Sequence, residues 1–394
     1  MEQMHPSDYR RSAVILYILT ACFWFAQYTC TPYLNPEMIN MGASESFMGL
    51  VAGAYGLTQL VLRVPLGIVA DRAGVQKPII IIGCALVVTS AAGMLLFYSP
   101  MGFFLFRGVA GFASASWISL TVLYGSYFPP EETPRRISQV NSANHLGRLL
   151  CFLVVGALVT RFSVKAAFYA GLATSLLALG MSFFVQDVPR AKKHIGLKDF
   201  LSVANDRNLK VTSLLGMLIQ TISFGTYYTF APNLAVALNA TASGLSYLNI
   251  ALMLPMVLGN FVATKWLYRK VGPVRLIIVG FLLTGVYCVL APLARSMTEL
   301  YLCQVLAGVS FSLTFTILMG QCVRTVPIDS RSIGMGIYQA VYGIGMTIGP
   351  VLMGYLIEWA GIKSAFFMVA VLAVASAGLT LALMQDDYNT NSKH

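Results

Sequence analysis

The chain has 394 residues, 57% of them hydrophobic and only 10% charged, with a mean hydropathy of +0.73 and a formal net charge of +11 at pH 7. So apolar a composition excludes a water-soluble fold, because too little polar surface remains to cover a core. The positive charge would suit nucleic acid, but the lysines and arginines are spread over short loops and form no basic patch, which excludes that partner and points to a lipid bilayer.

Apolar runs read against charge and proline predict twelve membrane-spanning helices, at 12–34, 46–69, 78–98, 101–124, 137–160, 165–186, 211–236, 244–267, 274–293, 299–322, 333–357 and 364–385. The expected fold class is an all-α integral membrane protein. With the N-terminus inside, most basic residues fall in inner loops, so a multi-pass protein of the cytoplasmic membrane with both termini cytoplasmic is expected. The first span is long and lacks a small-residue cleavage site, and therefore reads as a retained helix. Seven cysteines (Cys22, Cys30, Cys84, Cys151, Cys288, Cys303 and Cys322) lie in these spans with no Cys-x-x-Cys pair, so neither a disulfide framework nor a metal site is expected.

In chain order, the first span carries Trp24, Gln27 and Tyr28 before Pro32 and Pro36. Between the second and third spans stands the charged turn running from Gly67 through Asp71, Arg72 and Gly74 to Lys77. Gly67 and Gly74 let two helices approach closely, and Asp71 and Arg72 place a carboxylate and a guanidinium at their seam. Arg63, two turns earlier, is expected near the inner surface, where it can snorkel and take part in an inner gate.

This stretch resembles the loop signature of the major facilitator superfamily, Gly-x-x-x-Asp-Arg-x-Gly-x-x-Lys/Arg, and matches it at every fixed position. The resemblance extends over essentially the whole chain and implies the bacterial, twelve-helix type: two pseudo-symmetric six-helix bundles, alternating access about a central cavity, transport and not enzymatic activity. It further implies that Asp71 and Arg72 help latch the cytoplasmic side.

The fourth span contains Arg107-Gly108-Val109-Ala110-Gly111, with Ser114 and Trp117 continuing its face. It resembles the family's helix-four arginine motif, which implies a part in coupling or in organising the first helix. Helix one offers Gln27 and no acid to such an arginine, so a structural hydrogen-bonding role and an anion-contact role both stay open. In the fifth span Asn141, Asn144 and His145 precede Arg148 by seven, four and three residues and share its face. Arg148 lies about 16 Å into the span at the helical rise, near the midplane. A guanidinium, amides and an imidazole directed at one space suit a carboxylate, sulfonate or phosphate group. The alternative is an Arg148 that bonds backbone carbonyls of a neighbouring helix. His145 reads as a proton switch or as a hydrogen-bonded packing residue.

Residues 189–210 form the most hydrophilic internal segment, which divides the chain into bundles 1–188 and 211–394. Within it Leu197, Phe200, Leu201 and Ala204 recur at helical spacing, as in a short amphipathic helix on the inner leaflet. The halves repeat at a constant offset of 198, seen in Gly74 and Gly272, Glu131 and Asp329, Gly156 and Gly354, Lys165 and Lys363, and Phe168 and Phe366, which reads as an ungapped duplication. In the second half Tyr227, Tyr228, Asn249, Gln339 and Tyr342 are the polar or aromatic counterparts of the first-half site. Helix eleven carries Gly345, Gly349-Pro350 and Gly354, resembling the glycine-proline motif of the family's drug antiporters, whereas helix five has Cys151 and Phe152 at the equivalent places.

All 15 Asp and Glu lie in loops, tails or at helix ends, while Arg63, Arg107 and Arg148 lie within spans. A cationic interior favours a secondary transporter of a small organic anion, with protons or a counter-anion as coupling ion, no cofactor, and a monomeric state. The rival is a proton-coupled exporter of drugs or metabolites. From a different class come a non-transporting sensor and a lipid transporter.

Overall fold

In a bilayer the backbone must satisfy its own hydrogen bonds, and this chain does so with helices. The computed structural model describes residues 9–129, 132–188, 197–262, 267–327 and 330–384, and no strand occurs among them. The first six passes are α1 (Arg10–Tyr28) with a short α2 (Leu34–Asn40) at its end, α3 (Glu45–Ala73), α4 (Lys77–Leu96), the broken pair α5 (Pro100–Ala115) and α6 (Trp117–Ser126), α7 (Thr133–Arg161) and α8 (Lys165–Ser182). After α9 (Leu197–Ala204) come α10 (Arg207–Ser223), which runs through a π-helical turn at Phe224–Tyr228 into α11 (Ala231–Ala237), and then α12 (Ala242–Val262). The short α13 (Tyr268–Val271) leads to α14 (Pro273–Leu290), then α15 (Met297–Phe311), which continues through a π turn at Ser312–Thr316 into α16 (Ile317–Gln321), and finally α17 (Arg331–Leu383). Gly361, at φ +80°, breaks α17 into the last two passes. Among the described residues, seven helical stretches are long and apolar enough to cross a membrane by themselves. The α9 helix falls where the amphipathic spacing predicts one.

By internal contacts the chain separates into two compact units, residues 1–41 with 54–194, and 42–53 with 195–394. The first turns of α3 join the second unit because glycines allow it: a Cβ on Gly49 would fall 2.3 Å from the Pro350 carbonyl oxygen, and one on Gly354 2.5 Å from that of Glu45. Two polar contacts hold the same place, Asn233 Nδ2 to Glu45 Oε2 at 2.7 Å and the Ser46 N–H to Glu358 Oε1 at 3.0 Å.

The duplication is visible in packing inside each unit. Gly147 on α7 meets the Ala21 carbonyl of α1, and Gly345 on α17 meets the Met217 carbonyl of α10, each at 2.2 Å from an added Cβ. Gly111 packs on the Tyr55 carbonyl and Gly308 on the Leu252 carbonyl, while Gly83 and Gly280 accommodate the hydroxyls of Ser116 and Thr314. The offset is thus not one number. It is 198 between Gly147 and Gly345 but 197 between Gly111 and Gly308, so the repeat carries small insertions that the five aligned pairs did not reveal. The break between α5 and α6 and the π turn after α15 fall at matching positions of the two halves. The pair Glu131 and Asp329 lies outside the described residues.

The first unit is stapled near α4. The N–H groups of Gln76 and Lys77, which open that helix, both donate to the Asp187 carboxylate at 2.9 Å, and Lys77 Nζ donates to the Phe183 carbonyl at 2.7 Å. A carboxylate on helix-start donors is a cap supplied from over a hundred residues away. Asp187→Ala is expected to lower the thermal stability of the purified protein by an amount typical of a lost cap, about 1 kcal/mol, read as a lower unfolding midpoint in detergent.

Candidate functional site

Two arginines of the first unit are each laid on a tyrosine. The Arg148 guanidinium carbon stands 4.0 Å from the Tyr28 ring centroid, and that of Arg107 stands 4.4 Å from Tyr55. A central arginine costs about 2.5–3.5 kcal/mol on insertion scales, and a desolvated cation–π contact returns about 2 kcal/mol, so the tyrosines offset most of that cost.

Gln27 and Tyr28 are neighbours on α1, and they serve different arginines. Arg107 donates to the Gln27 carbonyl at 3.5 Å, while Gln27 Nε2 donates to the Ala110 carbonyl at 3.0 Å and to Ser114 Oγ at 2.9 Å. Tyr55 completes this network with a 2.8 Å bond to Ser114 Oγ. Gln27, Cys30, Ser90 and Arg107 share a cavity of about 20 Å³ between α1, α4, α5 and α8, room for about one water. Arg107 is therefore engaged by structural partners on α1 and α3.

Around Arg148 the wall is aromatic. Tyr28 meets Phe152 edge-on at 6.2 Å and Trp24 at 6.1 Å, and Trp24 meets Trp117 edge-on at 5.5 Å. Helix five has buried Cys151 where helix eleven has Gly349 against the Thr221 carbonyl, and Phe152, edge-on to Tyr28 of α1, where helix eleven has Pro350. Asn144 Oδ1, His145 Nδ1 and Trp24 Nε1 are buried with no hydrogen-bond partner among the described residues. Asn141, by contrast, donates back to the Ile137 carbonyl of its own helix at 3.0 Å.

A profile of the Major Facilitator Superfamily matches residues 16–214 and again 213–394. The chain belongs to the major facilitator superfamily. It is 22% identical over 381 residues to a staphylopine export protein of Staphylococcus aureus, covering 91% of this chain and 92% of that one. It is 23% identical over 382 residues to a gentisate transporter of Corynebacterium glutamicum, covering 91% and 82%. Among solved structures, a mutant of the nucleoside transporter NupG superposes with a TM-score of 0.80 at 16% identity, over 95% of this chain and all of that one. The chain is thus a transmembrane transporter of the superfamily fold.

The superfamily loop motif lies at the end of α3. Gly74 takes φ +69°, the left-handed conformation its turn requires, and Lys77 opens α4. The side chains of Gly67, Asp71 and Arg72 lie outside the described residues, and Arg63 is buried one to two turns before them.

In the second unit the named residues join a continuous aromatic series. Tyr227 contacts Tyr228 at 5.1 Å and Tyr287 at 5.5 Å, Tyr228 reaches Phe311 at 6.3 Å, and Phe315 links Phe311 at 4.9 Å to Tyr342 at 5.3 Å. Both π turns of this unit lie beside it, since Tyr227 and Tyr228 sit within one and Phe315 within the other. Asn249 donates to the Leu245 carbonyl of its own helix at 3.1 Å, and Gln339 is half-buried on α17. Sequence reasoning missed Tyr55, Tyr287, Phe311 and Phe315. Tyr55 had a signal, because an arginine within a membrane span on one helix calls for an aromatic or carbonyl partner on the next.

Proposed function

We propose that this transporter moves a small organic anion across the cytoplasmic membrane as a secondary carrier. The observation that carries the reading is Arg148: a buried guanidinium on α7, held over the Tyr28 ring and preceded on its helix by Asn144 and His145. Its support is chemical, since in-plane N–H donors near an apolar wall suit a carboxylate. A relative named for gentisate, a carboxylate, agrees with it. In this reading bundles 1–188 and 211–394, joined by the linker 189–210, alternate access around the site, Asp71 and Arg72 latch the cytoplasmic side, and both termini are cytoplasmic. The protein works as a monomer, and a proton or counter-anion supplies the coupling. The aromatic series of the second unit favours one rival, export of a lipophilic drug or metabolite.

A ligand that binds the folded state raises its unfolding midpoint by mass action, so purified protein is screened with organic anions, cations and neutral drugs beside Arg148→Ala. The anion reading expects anions to stabilise the parent and not the variant. Equal stabilisation of both by cations or neutral drugs would transfer the case to the export reading.

A further inference from the structure

We infer that the first turns of α3 form a proton-sensitive clasp on α17, fastened when Glu45 carries a proton and loosened when it does not. Neither Arg148 nor the nature of the substrate enters into it. The helix α3 has two allegiances: its residues up to Gly53 belong to the second unit, and from Ala54 onward it belongs to the first. The later turns are tied by hydrogen bonds, Thr58 Oγ1 donating to the Gly108 carbonyl at 2.8 Å and Tyr55 meeting Ser114 Oγ at 2.8 Å. The early turns lie against the backbone of α17 instead. A Cβ on Gly49 would stand 2.3 Å from the Pro350 carbonyl oxygen, and one on Gly53 2.9 Å from that of Thr347. Backbones this close are held by van der Waals contact, so the polar grip on the segment is concentrated at its start.

That grip consists of two carboxylates. Glu358 of α17 accepts from the Ser46 N–H at 3.0 Å, one of the donors that a helix start leaves without an intrahelical partner, so α17 supplies a cap for α3. Glu45 accepts from Nδ2 of the buried Asn233, on α11, at 2.7 Å. The groups that face Glu45 from its neighbours are thus Asn233 and Glu358. On its own helix start, Ser44 Oγ accepts from the Phe47 N–H at 3.2 Å, and the Met48 sulfur lies 3.9 Å from the Asn233 amide nitrogen. Among the described residues neither carboxylate is paired with a lysine or arginine. Glu358 is exposed and keeps its charge in water, whereas Glu45 is half-buried beside it.

The direction of the switch follows from these surroundings. Burial pushes the Glu45 carboxyl above the usual carboxylate range; the Asn233 bond opposes this, and the charge of Glu358 adds to it. Once the start of α3 leaves α17, Glu45 returns to water and to its ordinary range. The fastened state therefore holds the proton more tightly than the loosened one. By linkage, fastening is strongest at and below the ordinary carboxyl range and weakens as pH rises through the raised value. Protonation costs no bond, because the neutral acid keeps a carbonyl oxygen for Asn233 and presents no charge to Glu358.

The test follows amide hydrogen exchange of the full chain in detergent at about pH 5 and about pH 8, with rates corrected for the intrinsic effect of pH. Peptides covering 46–53 should lose protection by about three- to tenfold at the higher pH, while those within α14, which carries no carboxylate, keep theirs. Glu45→Gln, uncharged at both values and still an acceptor for Asn233, should stay protected throughout. Glu358→Gln removes the like charge and should shrink the pH effect, whereas Asn233→Leu removes the bond that steadies the carboxylate and should enlarge it. A merely structural pair of contacts would not give opposite signs from two neighbours of one carboxylate. Equal protection of 46–53 at both pH values in the parent would overturn the clasp, even where a variant fails to fold. A pH effect that Glu45→Gln leaves intact would overturn it as well.

Discussion

If the proposed anion site is right, Arg148→Ala is expected to reduce uptake of an organic anion into proteoliposomes by about 100-fold at subsaturating concentration, with the protein still folded. The size follows from what is removed. A guanidinium bonded to a carboxylate supplies two charge-assisted hydrogen bonds, each worth about 1.5–3 kcal/mol, and about 3 kcal/mol in total is already close to 100-fold. Folding survives because the same substitution removes a charge whose burial costs about 2.5–3.5 kcal/mol on insertion scales. Tyr28 loses its stacked cation but keeps Phe152 and Trp24 as neighbours. Arg148→Lys separates the charge from its shape: an ammonium keeps the attraction and loses the planar pair of donors, so it should retain a minor part of the flux. Arg107→Ala should behave in the opposite sense. That arginine bonds the Gln27 carbonyl and lies on Tyr55, which holds Ser114 together with Gln27, so its loss loosens the contacts of α1, α3 and α5. A lower unfolding midpoint with substrate discrimination retained is the outcome for Arg107. An unchanged flux in Arg148→Ala would remove the anion site from this helix altogether.

These two residues show how far the sequence reaches. Both arginines were legible as cations within membrane spans because charge inside an apolar run has no local reason to exist, and depth along a helix follows from counting residues. The helices were legible for the same reason, since apolar length is written in the composition of each run. What sets the two arginines apart is tertiary. Gln27 and Tyr28 adjoin in the chain but point to different partners, one to the α5 network and one to Arg148. Adjacent residues on a helix face about 100° apart, so this division follows from helical geometry, but only the packing of α5 and α7 against α1 says which residue meets which arginine. Asn141 shares the stripe with Asn144 and Arg148 by spacing, and it bonds its own helix at Ile137. A polar residue that satisfies itself locally looks the same in sequence as one, such as Asn144, whose amide oxygen finds no partner among the described residues. The π turns at Phe224–Tyr228 and Ser312–Thr316 had no signal either, because they depend on how the aromatic side chains of neighbouring helices fit together.

Gly147→Ala and Gly345→Ala are expected to destabilise the protein, whereas Gly180→Ala and Gly378→Ala are expected to be neutral or stabilising. The four positions form two pairs at the same offset, so the comparison holds chain context nearly constant and varies only what the new methyl meets. At Gly147 a Cβ would stand 2.2 Å from the Ala21 carbonyl oxygen, and at Gly345 2.2 Å from that of Met217. Both obstacles are backbone, which cannot swing aside as a side chain does, so α1 must move from α7 and α10 from α17. Overpacking of this kind costs about 1–3 kcal/mol, and more where it separates helices whose association in lipid rests on close van der Waals contact. At Gly180 and Gly378 an added Cβ meets nothing within 4 Å, and alanine is the better helix former by about 0.8–1.0 kcal/mol. Thermal unfolding of the four variants should therefore give two lowered midpoints and two that are equal or raised. The signs follow the contacts and not the glycines, since all four lie within helices and would look alike in sequence. Should Gly147→Ala leave the midpoint where it is, the close approach of α1 to α7 that brings Tyr28 beneath Arg148 would be wrong, and the arrangement of the site would fall with it.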